Sequence, residues 1–266
     1  MSNRIMIFIP AYNCAPQLPR VIEKINAEVQ RYVQEVVVVD NQSSDGTAEV
    51  AKSALQSLAI KATVLRNQEN YNLGGSIKRA FLYALDNGYD YMITLHGDDQ
   101  ADIRDLLPIF RSGEYTEQDL IIGARFHPES KLQGYSLVRI LGNRGLNIAC
   151  ALLNRRKVHD MIAGINLFNV NFFRSKFFLN FPNNLTFDAH VLLYAFNKKA
   201  RVKYIPITWR EEDQISNAKV VRQALIILRL FFDYLLQGAA VFTPNKSGKP
   251  EGFTYPSDVV FSKGAA

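Results

Sequence analysis

The chain has 266 residues, of which 48% are hydrophobic and 21% charged, a composition that excludes wholesale disorder. Lysine and arginine outnumber aspartate and glutamate by six. This mildly basic balance suits an anionic partner, such as a nucleotide, a phosphate or an acidic membrane surface, without choosing among them. The two cysteines, Cys14 and Cys150, are too few for a disulfide scaffold, which favours a reducing cytoplasmic compartment.

The sequence predicts neither a signal peptide nor a membrane span. The N-terminal apolar run is short and is interrupted at Pro10. The most apolar later stretch, 224–241, carries Arg229 and Asp233 near its middle. Each of these charges would cost about 3 kcal/mol at the centre of a bilayer, so we expect this stretch not to cross one.

Strands and helices alternate through the first half of the chain. Apolar and β-branched runs predict the strands, and apolar residues at helical spacing predict the helices between them. In chain order the predicted elements are strand 5–9, helix 18–33, strand 35–39, helix 48–57, strand 62–66, helix 74–87, strand 91–95 and strand 120–123. This alternation indicates the α/β class with a doubly wound, mostly parallel sheet, whose ligand binds at the carboxyl ends of the strands.

The most informative of these strand ends is the stretch Leu95–Gln100, LHGDDQ. Oxygen ligands at such a place suit Mg²⁺ or Mn²⁺, which bind through one or two carboxylates together with substrate phosphates. Asp98 and Gln100 could reach the same ion. Taken alone, the stretch is better explained as a solvated loop before a helix that begins near residue 103. Dinucleotide-binding, Walker A, zinc-protease and nucleophile-elbow motifs are all missing from the sequence.

Taken together, a series of motifs in consistent order resembles the family 2 nucleotide-sugar glycosyltransferases, which have a GT-A-type, Rossmann-like fold. The likeness is greatest to the branch that transfers sugars to dolichol and polyprenyl phosphates, and it covers roughly residues 4–220. The motifs are IFIPAYNC (7–14), VVVVDNQSSDGT (36–47), NLGGSIK (72–78), LHGDDQ (95–100), IIGARF (121–126), VHDMIAGINLF (158–168), FDAHVLLYA (187–195) and VKYIPITWR (202–210).

The resemblance implies a donor site for a nucleoside-diphosphate sugar. The implied nucleotide-binding residues are Pro10, Tyr12, Asn13, Asp40, Gly74, Gly75, Lys78, Gly97 and Asp98. Asp40 would accept hydrogen bonds from the base, the glycine pair would let the backbone approach the nucleotide, and Lys78 would meet a phosphate or an acidic neighbour. Asp98, helped by Gln100, would hold the Mg²⁺ or Mn²⁺ ion, which makes Asp98 a catalytic residue through Lewis-acid catalysis.

The resemblance also implies an acceptor site. Asp160 matches a position where the family places a carboxylate near the acceptor, and such a group can deprotonate a hydroxyl. A lipid phosphate is already anionic and needs no strong base. Arg125 and Arg144 match arginines that meet the acceptor phosphate. The alternative for Asp160 is a loop aspartate whose carboxylate accepts from backbone N–H groups. The alternative for Arg144 is a solvated charge on a helix.

Departures from the family pattern occur at the donor site. His96 stands where a first aspartate is common, and Asn41 where a second one is frequent. These replacements motivate the alternative of a catalytically silent nucleotide-sugar-binding protein. The stretch 209–219, which contains Ser216 and Lys219, matches a mobile family loop that closes over the donor.

Two stretches, 136–154 and 219–237, combine a wide apolar face with basic residues. Such helices lie at a membrane interface, or bury the apolar face in the core or in an oligomer contact, and the sequence fits a homo-oligomer and a membrane equally well. We therefore divide the chain into a glycosyltransferase domain (1–215), an amphipathic helix (216–243) and a loosely structured tail (244–266).

The sequence thus predicts a metal-dependent, inverting glycosyltransferase that moves a sugar from a nucleoside-diphosphate sugar to a polyprenyl-phosphate-type lipid. The alternative acceptor is a saccharide hydroxyl in polysaccharide or glycolipid assembly. The expected location is the cytoplasm, with peripheral contact to the cytoplasmic membrane face, and no nucleic acid partner is expected.

Overall fold

The computed structural model describes residues 3–161, 163–213 and 220–265. Eight strands form the main sheet, in the order β10-β3-β2-β1-β4-β7-β5-β8. Their bounds are β1 Ile5–Ala11, β2 Glu35–Asp40, β3 Lys61–Asn67, β4 Tyr91–Leu95, β5 Leu120–Ala124, β7 Ile165–Asn169, β8 Val202–Pro206 and β10 Ser257–Lys263. Strands β6 (Lys131–Gln133) and β9 (Thr208–Arg210) form a separate parallel pair.

Most neighbours in the main sheet are parallel, as the alternation of elements predicts. Strand β7 is antiparallel to β4 and β5, and β10 is antiparallel to β3. Strand β2 shows why the central strands are continuous apolar runs. It lies between β1 and β3, and all six of its residues are buried because helices cover both faces of the sheet.

Helices pack on both faces of the sheet. Their bounds are α1 Leu18–Glu23, α2 Ala27–Gln30, α3 Thr47–Leu55, α4 Asn72–Asp86, α5 Leu107–Ser112, α6 Leu137–Asn154, α7 Phe187–Asn197 and α8 Val220–Gln237. One apolar layer gathers residues of α4, α7 and α8, and the other gathers residues of α1, α3 and α5. The single helix predicted over 18–33 is two short helices, because Asn26 caps a new start by accepting from the backbone N–H of Val29 at 3.0 Å.

The expectation of a loosely structured tail over 244–266 is wrong. Strand β10 closes one edge of the sheet against β3. Tyr255, just before it, is 1% exposed, packs edgewise on Tyr71 and donates its hydroxyl to Oδ1 of Asn183 at 2.8 Å. The composition of the tail misleads because an edge strand needs backbone pairing more than a continuous apolar run.

Helices α6 and α8 contact each other and expose apolar side chains. The exposed residues of α6 are Leu137, Val138, Leu141, Ile148 and Leu152, and those of α8 are Leu225, Leu228, Phe232, Leu235 and Leu236. In α6 the polar side faces the protein: Asn147 is buried and donates to the carbonyl of His159 at 2.8 Å. The described residues 3–161, 163–213 and 220–265 therefore leave the α6 apolar face uncovered.

By length and composition, one helical stretch in the described part of the chain, Arg222–Phe242, could also cross a membrane. Its mean hydropathy is 1.7, and 28% of it is buried in the protein. Arg229 and Asp233, the two charges near its middle, form an ion pair at 3.2 Å.

Candidate active site

The loops after β1, β2 and β4 meet at one edge of the sheet, because β1 lies between the other two strands. The backbone N–H of Gly97 donates to the carbonyl of Pro10 at 3.2 Å. Asn13, with a left-handed φ of 49°, accepts from the N–H of Ser44 at 2.9 Å. The structure thus brings together the predicted residues Pro10, Tyr12, Asn13, Asp40, Gly97 and Asp98.

Gly97 is required where the loops after β1 and β4 touch. A Cβ atom at this position would lie 3.1 Å from both Sγ of Cys14 and the carbonyl oxygen of Pro10. Both distances are tighter than ordinary contacts. The glycine therefore allows the two strand ends to approach each other and places the following residue, Asp98, beside the end of β1.

Asp40 is a buried carboxylate at the end of β2. Its Oδ1 accepts from the backbone N–H of Ser43 at 3.2 Å, and Arg66 lies 3.4 Å from Oδ2. Among the described residues, nothing donates a hydrogen bond to Oδ2. A buried acceptor of this kind calls for a partner, and an N–H group of a ligand at the strand ends would supply it.

The loop after β4 offers the groups that suit a divalent metal. Asp98 is partly buried, and this burial raises the pKa of its carboxyl above the usual value. Its Oδ1 accepts from the backbone N–H of Gln100 at 3.3 Å. Nε2 of His96 is buried and has no hydrogen-bond partner in the described part of the chain. Burial lowers the pKa of this imidazole, which favours the neutral form that ligates metals.

These groups could hold a metal ion only together with ligand atoms from a bound molecule. Residues 3–161, 163–213 and 220–265 contain no cluster of three or more histidine, cysteine, aspartate or glutamate side chains that could hold an ion. Asp98, the amide oxygen of Gln100 and the bare Nε2 of His96 are a partial set. Phosphate oxygens would complete it, as is usual for Mg²⁺.

Arg125 and Asp160, to which the sequence assigns separate roles, form one buried ion pair at the end of β5. Nε and Nη2 of Arg125 donate to the two carboxylate oxygens of Asp160 at 2.8 and 2.9 Å, and the Arg125 backbone N–H adds a third bond at 3.0 Å. Burial lowers the pKa of the guanidinium, but the neighbouring carboxylate outweighs it and raises this pKa above the usual range. The ring of Trp209 lies 5.1 Å from the guanidinium carbon.

Comparison with known proteins adds decisive information. The sequence model of the family "Glycosyl transferase family 2" matches residues 6–177. The chain belongs to glycosyltransferase family 2.

Individual relatives of this family 2 glycosyltransferase are distant. It is 27% identical over 168 residues to an uncharacterized protein of Methanocaldococcus jannaschii, covering 63% of the chain and 65% of that protein. It is 25% identical over 228 residues to a dolichyl-phosphate beta-glucosyltransferase of Drosophila melanogaster, and the match covers 80% of the chain and 68% of that protein. Among solved structures, a Mycobacterium tuberculosis glucosyl-3-phosphoglycerate synthase in complex with Mn²⁺, UDP-glucose and phosphoglyceric acid matches with a TM-score of 0.60 and 15% sequence identity. The match covers 99% of this chain and 90% of the mycobacterial chain. This likeness confirms the GT-A-type fold.

In this family 2 glycosyltransferase, Arg144 lies close to Arg125. Arg144 is exposed on α6, and its guanidinium carbon is 5.9 Å from the centre of the Phe126 ring. The guanidinium carbon of Arg125 lies 5.4 Å from the same ring. Both predicted acceptor arginines therefore flank one aromatic side chain.

The structure corrects the roles predicted for Gly74, Gly75 and Lys78. A Cβ atom at Gly74 would lie 2.7 Å from the carbonyl oxygen of Pro182, so this glycine admits a protein segment and not a nucleotide. Gly75 likewise faces Tyr71 and Tyr255.

Lys78 is fully buried on α4. Its ammonium donates to the carbonyl oxygens of Leu179 and Phe181 and to Oδ1 of Asn183, and it lies within hydrogen-bond distance of the Tyr255 hydroxyl. Burial lowers its pKa to about 7. In the part of the chain that the structure describes it pairs with no acidic neighbour, because it lies on the buried face of α4 against residues 179–183.

Two site residues escape prediction from the sequence. Asp99, which is 1% exposed, forms ion pairs with Arg20, Lys24 and Arg210 and so anchors the loop after β4 to α1 and β9. The available signal is the spacing of Arg20 and Lys24, which places both on one side of a helical turn.

Glu211 accepts from Nη1 of Arg139 at 2.7 Å and from Nε2 of Gln100 at 3.3 Å. Ser216 and Lys219 of the predicted mobile loop lie outside the described residues.

Proposed function

We propose that the chain transfers a sugar, with inversion, from a nucleoside-diphosphate sugar to a polyprenyl-phosphate-type lipid. The observation that carries the choice of acceptor is the Arg125–Asp160 ion pair. A carboxylate that holds a buried guanidinium through both oxygens is a poor base for a hydroxyl group. An anionic phosphate needs no base, and Arg144 supplies the charge that attracts it, next to Arg125, whose own charge is balanced by Asp160. The relative named for dolichyl-phosphate glucosylation supports the same class of acceptor.

The donor would lie across the ends of β1, β2 and β4. Asp40 would accept from the base through its Oδ2, and the exposed ring of Tyr12 would cover the nucleoside. Asp98, Gln100 and His96 would hold a divalent ion against the diphosphate. When bound, such an ion neutralises the charge that develops on the leaving diphosphate. The Mn²⁺ and UDP-glucose named in the mycobacterial structure support this choice of groups.

The acceptor's lipid chain would meet the exposed apolar faces of α6 and α8. We propose peripheral contact with the cytoplasmic membrane face through these two helices, with residues 1–215 as the catalytic unit and 216–243 as part of the contact surface. Arg144 lies on α6 beside its exposed leucines, so a phosphate at the membrane surface could reach it. A homo-oligomer would bury the same faces. Sedimentation with and without vesicles separates the two, since an oligomer forms in the absence of lipid.

The donor half of the proposal is tested by the thermal stability of the protein with UDP or GDP, each with and without Mn²⁺. A ligand at a hundred times its Kd stabilises the folded state by about 2.7 kcal/mol. We expect one nucleotide to stabilise the parent in a metal-dependent manner and Asp98→Asn to abolish the effect. Asp258→Asn, an exposed carboxylate on β10, is the matched control. Metal-dependent stabilisation that survives in Asp98→Asn contradicts the proposed site.

The acceptor half is tested by kinetics with a short-chain polyprenyl phosphate. Arg144→Gln should raise the KM for this acceptor about tenfold, the loss of one charge-assisted contact, and leave donor binding unchanged. Arg174→Gln, which removes an exposed arginine after β7 and outside both α6 and α8, serves as control. An equal effect of the two substitutions would show that Arg144 makes no specific contact.

A further inference from the structure

A cavity of about 600 Å³ lies along β8, the last strand at one edge of the main sheet. It is separate from the strand ends that form the candidate active site. Among its lining residues are Arg156, Lys157, His159, Phe196, Lys203 and Tyr204. None of the described residues that line it is acidic. Its volume lies within the range of small-molecule binding sites, roughly 300–1,000 Å³.

The wall of the cavity carries an excess of positive charge. Nη1 of Arg156 donates to the carbonyl of Ala200 at 3.0 Å, and its guanidinium carbon lies 5.4 Å from the ring centre of Phe196, so the side chain is held in place. Lys203 pairs with Glu114, which is not part of the wall. Lys157 is exposed and forms no ion pair within the described ranges. At least two cations are therefore available to an anion that enters.

A second, independent feature of the cavity is the hydroxyl of Tyr204. This group is buried and lacks a hydrogen-bond partner among the residues that the structure describes. A buried polar group without a partner is rare in folded proteins, and a ligand commonly explains it. The ring of His159 lies 5.6 Å from the Tyr204 ring, so the same ligand could contact the imidazole.

We propose that this cavity binds an organic phosphate, held by Arg156 and Lys157, and that the Tyr204 side chain turns toward the cavity so that its hydroxyl donates to the bound phosphate. Guanidinium groups match the geometry of phosphate oxygens, and lysine adds a point charge. The cavity is larger than an inorganic phosphate needs, and the aromatic rings of Phe196 and Tyr204 provide apolar surface for the organic part. The exposed end of α6 at Leu152 is close in sequence to Arg156, so the phosphate could belong to a soluble molecule or to a lipid headgroup.

His159 lies next to the Arg125–Asp160 ion pair along the chain. His159 directly precedes Asp160, whose carboxylate holds Arg125. A ligand that contacts the imidazole is thus one residue from the ion pair. This proposal concerns a site apart from the proposed donor and acceptor sites and stands or falls independently of them.

The test is a titration of the protein, labelled with ¹³C in its histidine rings, with glucose 1-phosphate as the soluble probe. We expect a saturable shift of the His159 resonance and a smaller change at His190, which is buried on α7. Lys157→Gln should weaken binding about tenfold, as expected when one charge-assisted contact is lost. Lys198→Gln, which removes an exposed charge outside the cavity wall, should leave binding unchanged. The effect of UDP and of GDP on the melting temperature should be the same in all these variants as in the parent.

Tyr204→Phe separates a ligand-binding role of the hydroxyl from a structural one. Since the hydroxyl has no partner in the described protein, its removal should not lower the melting temperature but should weaken probe binding severalfold. A lower melting temperature with unchanged probe affinity would show that the hydroxyl serves the fold and would overturn its assignment to the ligand.

The two sources of phosphate are distinguished by sedimentation with phosphatidylcholine vesicles that contain phosphatidic acid. Sedimentation that depends on phosphatidic acid and on Lys157 identifies a lipid headgroup, whereas binding of glucose 1-phosphate alone identifies a soluble ligand. The proposal is overturned if neither probe binds, or if Lys198→Gln weakens binding as much as Lys157→Gln does.

Discussion

The Arg125–Asp160 ion pair yields the sharpest prediction, the effect of Asp160→Asn. The two side chains are 9% and 1% exposed, so the substitution leaves a buried guanidinium without its counter-charge. Breaking a buried pair costs about 3–5 kcal/mol. The lower end applies here, because Arg125 keeps a hydrogen bond to Tyr135 and its contact with Trp209. We therefore expect a loss of about 3 kcal/mol, or a fall in melting temperature of roughly 6–12 °C.

Urea denaturation measures this loss, and a double-mutant cycle assigns it to the pair. Asp160→Leu combined with Arg125→Met should recover most of the stability, since an apolar pair of similar volume replaces the ions. A change below about 0.5 kcal/mol in Asp160→Asn would refute the reasoning, because such a value is typical of an exposed charge.

The same variant tests the chemistry. If Asp160 positions Arg125, Asp160→Asn lowers activity while the remaining kcat keeps the pH dependence of the parent. If Asp160 is the base that activates a hydroxyl, the acidic limb of the pH–rate profile disappears with it. The second outcome would favour a saccharide acceptor.

Three further predictions concern the buried residues Lys78 and Asp188 and the site residue Gly97. Lys78→Met should destabilise the protein by about 2 kcal/mol in urea denaturation, because buried carbonyl oxygens lose their donor, and should leave nucleotide affinity unchanged. Burial raises the pKa of Asp188 to about 7; the unfolded carboxyl loses its proton near pH 4, so folding becomes less favourable as the pH rises from about 4 to 7. Asp188→Asn should therefore be more stable than the parent at pH 8, by up to about 4 kcal/mol, and equal to it at pH 4. Gly97→Ala should cost about 1–3 kcal/mol and weaken nucleotide binding, because the added Cβ pushes the loops after β1 and β4 apart.

Each of these predictions has a contrary outcome. A loss of nucleotide affinity in Lys78→Met would show that Lys78 contributes to the donor site, as the family resemblance implies. A stability difference for Asp188→Asn that does not vary with pH would mean that the carboxyl titrates alike in the folded and unfolded states. Full stability and full nucleotide affinity of Gly97→Ala would show that the two loops tolerate separation.

Strands β1 to β5 of the main sheet were predictable because they are buried on both faces and therefore read as continuous apolar runs. The runs at β1, β2 and β4 also locate the candidate site, since polar residues at the carboxyl ends of parallel strands are not needed for the core. Edge strand β10 lacks such a run, because none of its seven residues is fully buried.

Other parts of the site depend on tertiary contacts that local sequence does not encode. Arg125 and Asp160 are 35 residues apart, and nothing in either motif shows that they pair. Lys78 lies in a stretch where a lysine would ordinarily face water, and only the packing of α4 against residues 179–183 reveals it as an internal donor. In α6 the polar stripe and the apolar face were both predictable, but the side that faces the protein was not.

The central claim is tested most directly by a transfer assay with radiolabelled UDP- and GDP-sugars, Mn²⁺ and a polyprenyl phosphate, followed by extraction into organic solvent. The account predicts a labelled glycolipid from one nucleotide class, lost in Asp98→Asn and strongly reduced in Arg144→Gln. Label that appears only in a water-soluble saccharide or phosphorylated acid, with none in the lipid fraction, would contradict it.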